Sequence, residues 1–292
     1  MLETYWFEFG VMLVSEVGKL YIVPTPIGNL ADITHRALTI LAQVDLIAAE
    51  DTRHSLKLLQ HYDINTRLIS LHDHNESQRA GELISRLQQG INIALISDAG
   101  TPLISDPGYS LVTQCRAAQI EVIPLPGACA VTTALCAAGL PTDRFRFEGF
   151  LPVKMQARHQ VLAGLLLEPA TSVFYESPRR IAQTVKDIIE VLGGDREMVL
   201  AKELTKTFET FYSGTAENCY VWLLADTNHQ RGEFVLLVSG NKKTQTDVPP
   251  EAMSLLVLLM KELPLKKAAA ITAEHFSLKK NTLYQAGLDL NK

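Results

Sequence analysis

Five short segments of this sequence are rich in glycine, proline or charged residues, which suits ligand binding. Each follows an apolar run typical of a strand, and they span residues 24–29, 50–54, 72–75, 97–108 and 126–130. Glycine and proline turns let backbone amides and carbonyls approach a ligand closely. None of the segments has the spacing G-x-G-x-x-G of dinucleotide-binding proteins or G-x-x-x-x-G-K-[ST] of the phosphate loop. The sequence therefore argues against a nicotinamide or nucleoside triphosphate cofactor. Gly28 or Gly127 alone indicates only a tight turn, but the five segments together favour a binding cleft.

Two of the segments carry side chains that could act on a hydroxyl group. Asp51 and Arg53 lie two residues apart, so they either brace their loop as a salt bridge or hold a substrate hydroxyl or ribose. His72 and His74 have the same spacing, but no third metal ligand accompanies them. For the two histidines we therefore predict a contact to a polar substrate or a surface position, and no metal site.

Further charged residues lie later in the chain. Glu176 follows an apolar run in Tyr175-Glu176-Ser177. It either faces the cleft or caps the following helix, because an acid is favourable at a helix N-terminus. Ion pairing is the simplest interpretation of Lys202, Glu203 and Lys206.

The elements that must position these residues alternate between strands and helices. The predicted strands of the first block are residues 20–23, 45–49, 67–71, 91–96 and 121–125. A first helix is predicted to begin after the N-cap Asp32. The second strand is apolar along residues 46–49, as a strand buried on both faces should be. Five strand–helix units in series predict a parallel sheet with helices on both faces. The loops after its strands then share one edge, where ligands bind.

A second mixed block and a helical tail complete the predicted organisation. After a break near residues 140–143, strands are predicted at residues 146–150, 171–175, 198–201, 210–213 and 233–239. A polar linker leads to a tail with two apolar faces around a turn at 276–278, formed by Ala268, Ile271 and His275 and by Leu283, Ala286 and Leu290. This helix-turn-helix spacing and a local excess of lysine fit either a solvated hairpin or a nucleic-acid contact. The predicted domains are an accessory or disordered extension at 1–18, α/β domains at 19–140 and 141–240, and a helical domain at 250–292.

Composition narrows the class of protein. Of the 292 residues, 47% are hydrophobic and 20% are charged, which is typical of a globular chain, and no apolar run is long enough to span a membrane. The N-terminal segment lacks the basic residues of a signal peptide, and the four cysteines show no Cys-x-x-Cys spacing, so we expect a reduced, cytoplasmic protein. The net charge of −5 argues against coating of nucleic acid by bulk charge, but it allows a local basic site.

The order of the motifs resembles the tetrapyrrole methylase superfamily. The resemblance spans about Leu20 to the C-terminus, through VPTPIGNL at 23–30, AEDTR at 49–53, SDAGTP at 97–102, PLPG at 124–127, FYES at 174–177 and ELTK at 203–206. Within the superfamily, the chain is similar to the branch that 2′-O-methylates a cytidine of 16S ribosomal RNA. The resemblance implies two α/β domains with S-adenosylmethionine in the cleft between them, a small C-terminal helical domain, a homodimer, and 16S RNA within the 30S subunit as partner.

The resemblance also implies which residues touch the cofactor, mostly through backbone atoms. They are Ile27, Asp98, Ala99, Gly100, Thr101, Ile104, Cys129, Ala130, Tyr175, Glu176, Glu233 and Phe234. Methyl transfer needs the methyl group in line with the attacking oxygen at about 3 Å. A ribose hydroxyl is a poor nucleophile while protonated, so a nearby base or cation should help. The catalytic candidates are Asp51, Arg53, His72 and Glu176, with an acid taking the proton while Arg53 holds a backbone phosphate.

Two other functions stay open. A C-methyltransferase of uroporphyrinogen or precorrin would share the superfamily fold, although the basic helical tail and the loop of Asp51 and Arg53 favour RNA. A ligand-responsive transcription factor would join an α/β ligand-binding domain to a helix-turn-helix. The second helix of that tail, residues 280–288, carries few side chains that read bases.

Overall fold

The computed structural model describes residues 17–241 and 248–289. Internal contacts divide them into two units, one with residues 17–166 and 170–239, the other with residues 167–169 and the helical tail. The predicted extension at 1–18 lies almost wholly outside the described residues, as does most of the polar linker.

The first five strands form one sheet, as the sequence predicts. Their bounds are β1 Leu20–Ile22, β2 Leu46–Ala49, β3 Leu68–Ser70, β4 Ile93–Ile96 and β5 Val122–Pro124. All neighbours are parallel, in the order β3-β2-β4-β1-β5. Strands β2 and β4 are buried along their whole length, because helices cover both faces of the sheet.

The first five α-helices of the chain follow these strands, and the first four of them cover the sheet. The bounds are α1 His35–Gln43, α2 Thr52–His61, α3 Glu76–Gln88, α4 Tyr109–Ala117 and α5 Ala130–Ala138. Helices α1 and α2 pack on one face, and α3 and α4 pack on the other. The predicted start of α1 is wrong: Asp32 ends a short 3-10 turn, and Thr34 caps the helix by accepting a hydrogen bond from Ala37 N at 3.1 Å.

The second sheet is mixed and shares its unit with the first. It contains β6 Phe145–Phe150, β7 Thr171–Glu176, β8 Glu197–Lys202, β9 Thr210–Thr215 and β10 Phe234–Val238. The order is β6-β7-β10-β8-β9, with β6 parallel to β7 and the other pairs antiparallel. One face packs on α6 Met155–Ala163, α7 Ile181–Leu192 and α8 Ala216–Ala225, and the other packs on α5. Helix α5 therefore joins the chain of the first sheet to the core of the second.

The second unit is helical. It contains α9 Pro250–Met260, α10 Leu265–Phe276 and α11 Lys280–Asp289, with the predicted turn at Ser277, whose φ is 52°. The predicted apolar face of α10 is partly wrong, because Ile271 is 40% exposed and His275 is exposed, while the buried residues are Ala268, Ala269, Thr272 and Ala273. On α11, Leu283 is buried, and Leu290 lies outside the described residues. No helix in the described ranges has the length and apolar character needed to cross a membrane.

Candidate active site

The carboxyl ends of the first sheet and three strands of the second, β6, β7 and β10, enclose a cleft of about 500 Å³. A volume of this size is typical of small-molecule sites. All twelve residues expected at the cofactor line it, namely Ile27, Asp98, Ala99, Gly100, Thr101, Ile104, Cys129, Ala130, Tyr175, Glu176, Glu233 and Phe234. They follow β1, β4 and β5, end β7, and begin β10. The fold thus brings together segments that lie as far apart in the sequence as Ile27 and Phe234.

The loop after β4 is tied to its neighbours by backbone hydrogen bonds. Gly100 and Thr25 exchange two N–H to carbonyl bonds, of 3.0 and 2.8 Å. Thr101 Oγ1 donates to the Ala128 carbonyl at 2.9 Å. Gly100 has φ +86°, which favours glycine, and a Cβ atom there would lie 3.1 Å from the Ile27 side chain. Glycine therefore lets this loop pack closely against the loops after β1 and β5.

Three of the five carboxylates that line the cleft lie in loops of the first sheet: Glu50, Asp98 and Asp106. The pKa of Asp106 is raised to about 6, chiefly by burial and also by the charges of Glu50 and Asp98, although a hydrogen bond from Ser97 lowers it in part. Burial and then the charge of Asp98 raise the pKa of Glu50. Such acids suit proton transfer near neutral pH. Sequence reasoning placed both in ligand-binding loops but named neither as a catalytic candidate; their signal is an acid in a loop after a parallel strand.

Aromatic rings complete the wall. The ring of Tyr175 lies 4.9 Å from that of Phe147 and 5.6 Å from that of Phe150, centroid to centroid. Burial raises the pKa of the Tyr175 hydroxyl, so this group stays protonated at neutral pH. Phe150 lines the cleft and is 57% exposed. Sequence reasoning missed Phe150 because it ends a predicted strand and lies in none of the five loops.

Asp51 and Arg53 form a closed ion pair at the start of α2 and do not line the cleft. Asp51 caps the helix by accepting a hydrogen bond from Arg53 N at 2.8 Å. The guanidinium donates to both carboxylate oxygens, at 3.1 and 2.8 Å. These bonds, the side-chain bond first, hold the pKa of Asp51 far below its usual range. Asp51 N also donates a hydrogen bond to Asp98 Oδ1 at 3.0 Å. The ion pair therefore stabilises the loop after β2, whose backbone binds the carboxylate of Asp98 in the cleft wall.

Glu176 lines the cleft, but its carboxylate already has three partners. Oε1 accepts a hydrogen bond from Ser177 N at 2.8 Å. Oε2 accepts from Arg180 Nη2 at 3.1 Å and from Thr184 Oγ1 at 2.7 Å. The residue is 3% exposed. This geometry fits the capping interpretation, since the three donors belong to the turn before α7 and to α7 itself.

The two histidines follow β3 and do not line the cleft. His72 Nε2 lies 3.1 Å from Asn75 Nδ2, and its ring meets that of His74 edge-on at 5.9 Å. Within the described ranges, one group of potential metal ligands has suitable spacing, and it consists of His159, Asp187 and Glu190. None of these lines the cleft, and Asp187 already accepts a hydrogen bond from the Arg158 guanidinium.

A charged network supports the edge of the cleft at β10. Lys206 Nζ donates to Glu203 Oε1 and to Glu233 Oε2, both at 2.9 Å. The ion-pair interpretation is therefore confirmed for Glu203 and Lys206. The third member, Glu233, lies in the cleft wall.

Comparison with known proteins agrees with this architecture. Residues 19–219 match the family Tetrapyrrole (Corrin/Porphyrin) Methylases, and residues 246–291 match the RsmI C-terminal HTH domain. The ribosomal RNA small subunit methyltransferase I of Escherichia coli O157:H7 is 57% identical over 93% of this chain and 95% of its own length. The protein of the same name from Vibrio cholerae serotype O1 is 58% identical, over 92% and 94%.

Solved structures share the fold at much lower identity. The uroporphyrin-III-C-methyltransferase of Thermus thermophilus is 19% identical, with a TM-score of 0.54 over 76% of this chain and 94% of that chain. A diphthine synthase is 13% identical, with a TM-score of 0.56 over 76% and 90%. Because the family match covers residues 19–219 and the close relatives cover nearly the whole chain, the chain belongs to the tetrapyrrole methylase family, in the group of the ribosomal RNA small subunit methyltransferase I proteins.

Proposed function

We propose that this chain transfers a methyl group from S-adenosylmethionine to the ribose 2′-hydroxyl of a cytidine in 16S ribosomal RNA. The observation that carries the proposal is the relatives named ribosomal RNA small subunit methyltransferase I, which are more than half identical over nearly their whole length. The cleft supplies a site for the cofactor. We place the reaction in the cytoplasm, on the 30S subunit, with a homodimer as the active form.

The cleft suits S-adenosylmethionine in size and charge. Its volume of about 500 Å³ fits a small molecule. The carboxylates of Glu50, Asp98 and Asp106 suit a ligand with a sulfonium and an ammonium group, and the rings of Tyr175 and Phe150 suit a flat base. We assign the twelve residues named above to the cofactor shell. When bound, S-adenosylmethionine supplies an electrophilic methyl group.

Asp106 is the residue of this site best suited to accept the proton of the ribose hydroxyl. It lines the cleft, and with a pKa of about 6 it is mostly ionised yet moderately basic at neutral pH. A carboxylate oxygen of Asp106 takes the hydroxyl proton as the oxygen becomes nucleophilic. Glu50 helps to keep the pKa of Asp106 high through its negative charge.

In this proposal none of the four residues predicted for catalysis accepts the proton, and each supports the site in another way. Asp51 and Arg53 hold the loop that donates a hydrogen bond to Asp98. Glu176 holds the start of α7. The charge of His72, when that ring is protonated, lowers the pKa of Glu50.

A tetrapyrrole C-methyltransferase remains the alternative enzyme, because structures of that activity share the fold. The match of the tail to a domain of the ribosomal RNA methyltransferases favours RNA. Calorimetry with S-adenosylhomocysteine tests the cofactor, and incubation with uroporphyrinogen III and labelled S-adenosylmethionine tests the alternative. We expect binding without methylation of the tetrapyrrole. Absence of binding, or turnover of the tetrapyrrole, would contradict the proposal.

A further inference from the structure

A groove separate from the cleft runs along the free edge of the first sheet. Strand β3 is the outermost strand on that side. All three of its residues line the groove, together with residues of α2 and α3, and the volume is about 570 Å³. The groove shares no lining residue with the cleft.

Two arginines flank this edge strand from opposite faces of the sheet. Arg53 lies on α2, whose Leu59 packs in the core under one face. Arg79 lies on α3, whose Leu83 packs in the core under the other face. Both arginines line the groove. A ligand along β3 therefore meets a guanidinium on each side.

The groove has an apolar floor of Leu56, Leu68 and Ile69, and its polar lining consists of cations and hydroxyls, with no acid among the described lining residues. Thr52 and Ser70 supply hydroxyl groups next to the two arginines, while the hydroxyl of the third, Thr66, donates to the Leu41 carbonyl at 2.6 Å. Arg79 is half-buried, and its side chain makes no hydrogen bond or ion pair with a residue that the structure describes. Arg53 is 89% exposed at its side chain and uses Nε and Nη2 on Asp51, so Nη1 is left for another acceptor. In a chain of net charge −5, this composition suits an anion with several oxygens.

The groove and the cleft have lining residues that are close together in the chain. Glu50 lines the cleft and Thr52 lines the groove, so the two sites are joined by two residues of chain, at most about 7 Å when extended. A strand of nucleic acid with one nucleotide in the cleft carries a charged phosphate at each neighbouring nucleotide of its backbone. Charged side chains beside an edge strand also guard against pairing with another chain. That role alone does not require the hydroxyls of Thr52 and Ser70 or the position next to the cleft.

We propose that this groove binds the phosphodiester backbone of the RNA strand beside the methylated nucleotide, with Arg79 and Arg53 as the phosphate contacts. The inference rests on the proposed function. It adds an RNA-binding surface to the first α/β domain, independent of the helical tail.

The test compares Arg79→Ala with Arg86→Ala. Arg86 lies on the same helix but is ion-paired with Glu82 and does not line the groove. Anisotropy with a short 5′-labelled single-stranded RNA of the target sequence measures affinity at several salt concentrations. We expect Arg79→Ala to weaken RNA binding roughly 5- to 10-fold, a modest loss for a charge-assisted bond in an open groove. The salt slope should fall by about 0.7, the value for one phosphate on a single strand. Arg86→Ala should match the wild type in both respects.

Arg79→Lys guards against loss of the fold, since it keeps the charge and the aliphatic stem. It should recover part of the affinity and keep the salt slope. Equal RNA affinity and slope in Arg79→Ala and the wild type would overturn the inference, and so would a shift from dimer to monomer with RNA affinity intact, because the edge would then bind a second copy. Failure of the proposed function looks different: the wild type itself would bind S-adenosylhomocysteine and leave 30S subunits unmethylated.

Discussion

Replacing Asp106 by asparagine should stabilise the protein and slow methyl transfer at the same time. The pKa of about 6 exceeds the ordinary value of 3.8 by about 2. Because one pKa unit corresponds to about 1.4 kcal/mol, ionising Asp106 in the folded protein costs at most about 3 kcal/mol. The carboxyl is only about half buried, so solvent screening reduces the expected cost to about 1–2 kcal/mol.

The stability difference should depend on pH in a defined direction. Below about pH 4 the carboxyl is protonated in the folded and the unfolded chain, so it contributes no penalty. Between about pH 4 and pH 6 the folded state keeps a proton that the unfolded state has lost, and stability falls as pH rises. Above about pH 6 the full penalty is present. Asp106→Asn carries no charge and should therefore be more stable than the wild type at neutral pH, by about 1–2 kcal/mol.

Urea unfolding at neutral pH and near pH 4 measures this difference. Single-turnover methyl transfer to 30S subunits measures the second effect, and we expect a loss of roughly 10²- to 10⁴-fold. The wild-type rate should rise with pH through about 6 and then level off. The exposed acid Asp143 is a matched control, and Asp143→Asn should change neither quantity. An Asp106→Asn protein that is no more stable at neutral pH, or that reacts at the wild-type rate, would refute the role assigned to Asp106.

Three further substitutions test the site and its supports. Gly100→Val places a branched side chain at φ +86°, with its Cβ 3.1 Å from the Ile27 side chain. Because this distorts the loop, calorimetry should show that S-adenosylhomocysteine binds at least roughly 10-fold more weakly. Unchanged affinity would contradict the packing of this loop. Glu176→Gln cannot satisfy three donors, and thermal or urea unfolding should show a loss of about 1–3 kcal/mol; a large loss of rate at full stability would instead make Glu176 a proton acceptor. Asp187→Ala leaves the buried Arg158 without its carboxylate, and urea unfolding should show a loss of about 3–5 kcal/mol; a loss below about 1 kcal/mol would show that the pair contributes little to stability.

The architecture could be predicted because its signals are local. The runs Leu46–Ala49 and Ile93–Ile96 are apolar at every position and are buried at every position. Parallel strands place their following loops at one edge, so loops rich in glycine and charge indicate the cleft without any knowledge of distances. The motifs of the family then indicate which residues of the second sheet complete it.

The roles of individual acids could not be predicted because they depend on contacts between distant segments. The pKa of Asp106 is raised mainly by burial, and the second sheet reaches this loop at Gly149, where an added Cβ would lie 3.6 Å from Ser105 Oγ. Asp51 is an attractive base in sequence, but its side chain closes on Arg53 two residues away. The predicted start of α1 and the predicted buried face of α10 were wrong for a related reason. Asp32 and Thr34 are both good N-caps, so the local sequence does not decide between them. On α10, packing against neighbouring helices buries alanines and leaves Ile271 exposed.

The most direct test of the proposed function is transfer of labelled methyl groups from S-adenosylmethionine to 30S subunits that lack the modification. Naked 16S RNA is the parallel substrate, and mass spectrometry of the digested RNA identifies the labelled nucleoside. We expect label on 30S subunits as 2′-O-methylcytidine at a single position. Label on a base, or no label on either RNA from a protein that binds S-adenosylhomocysteine, would contradict the proposed reaction.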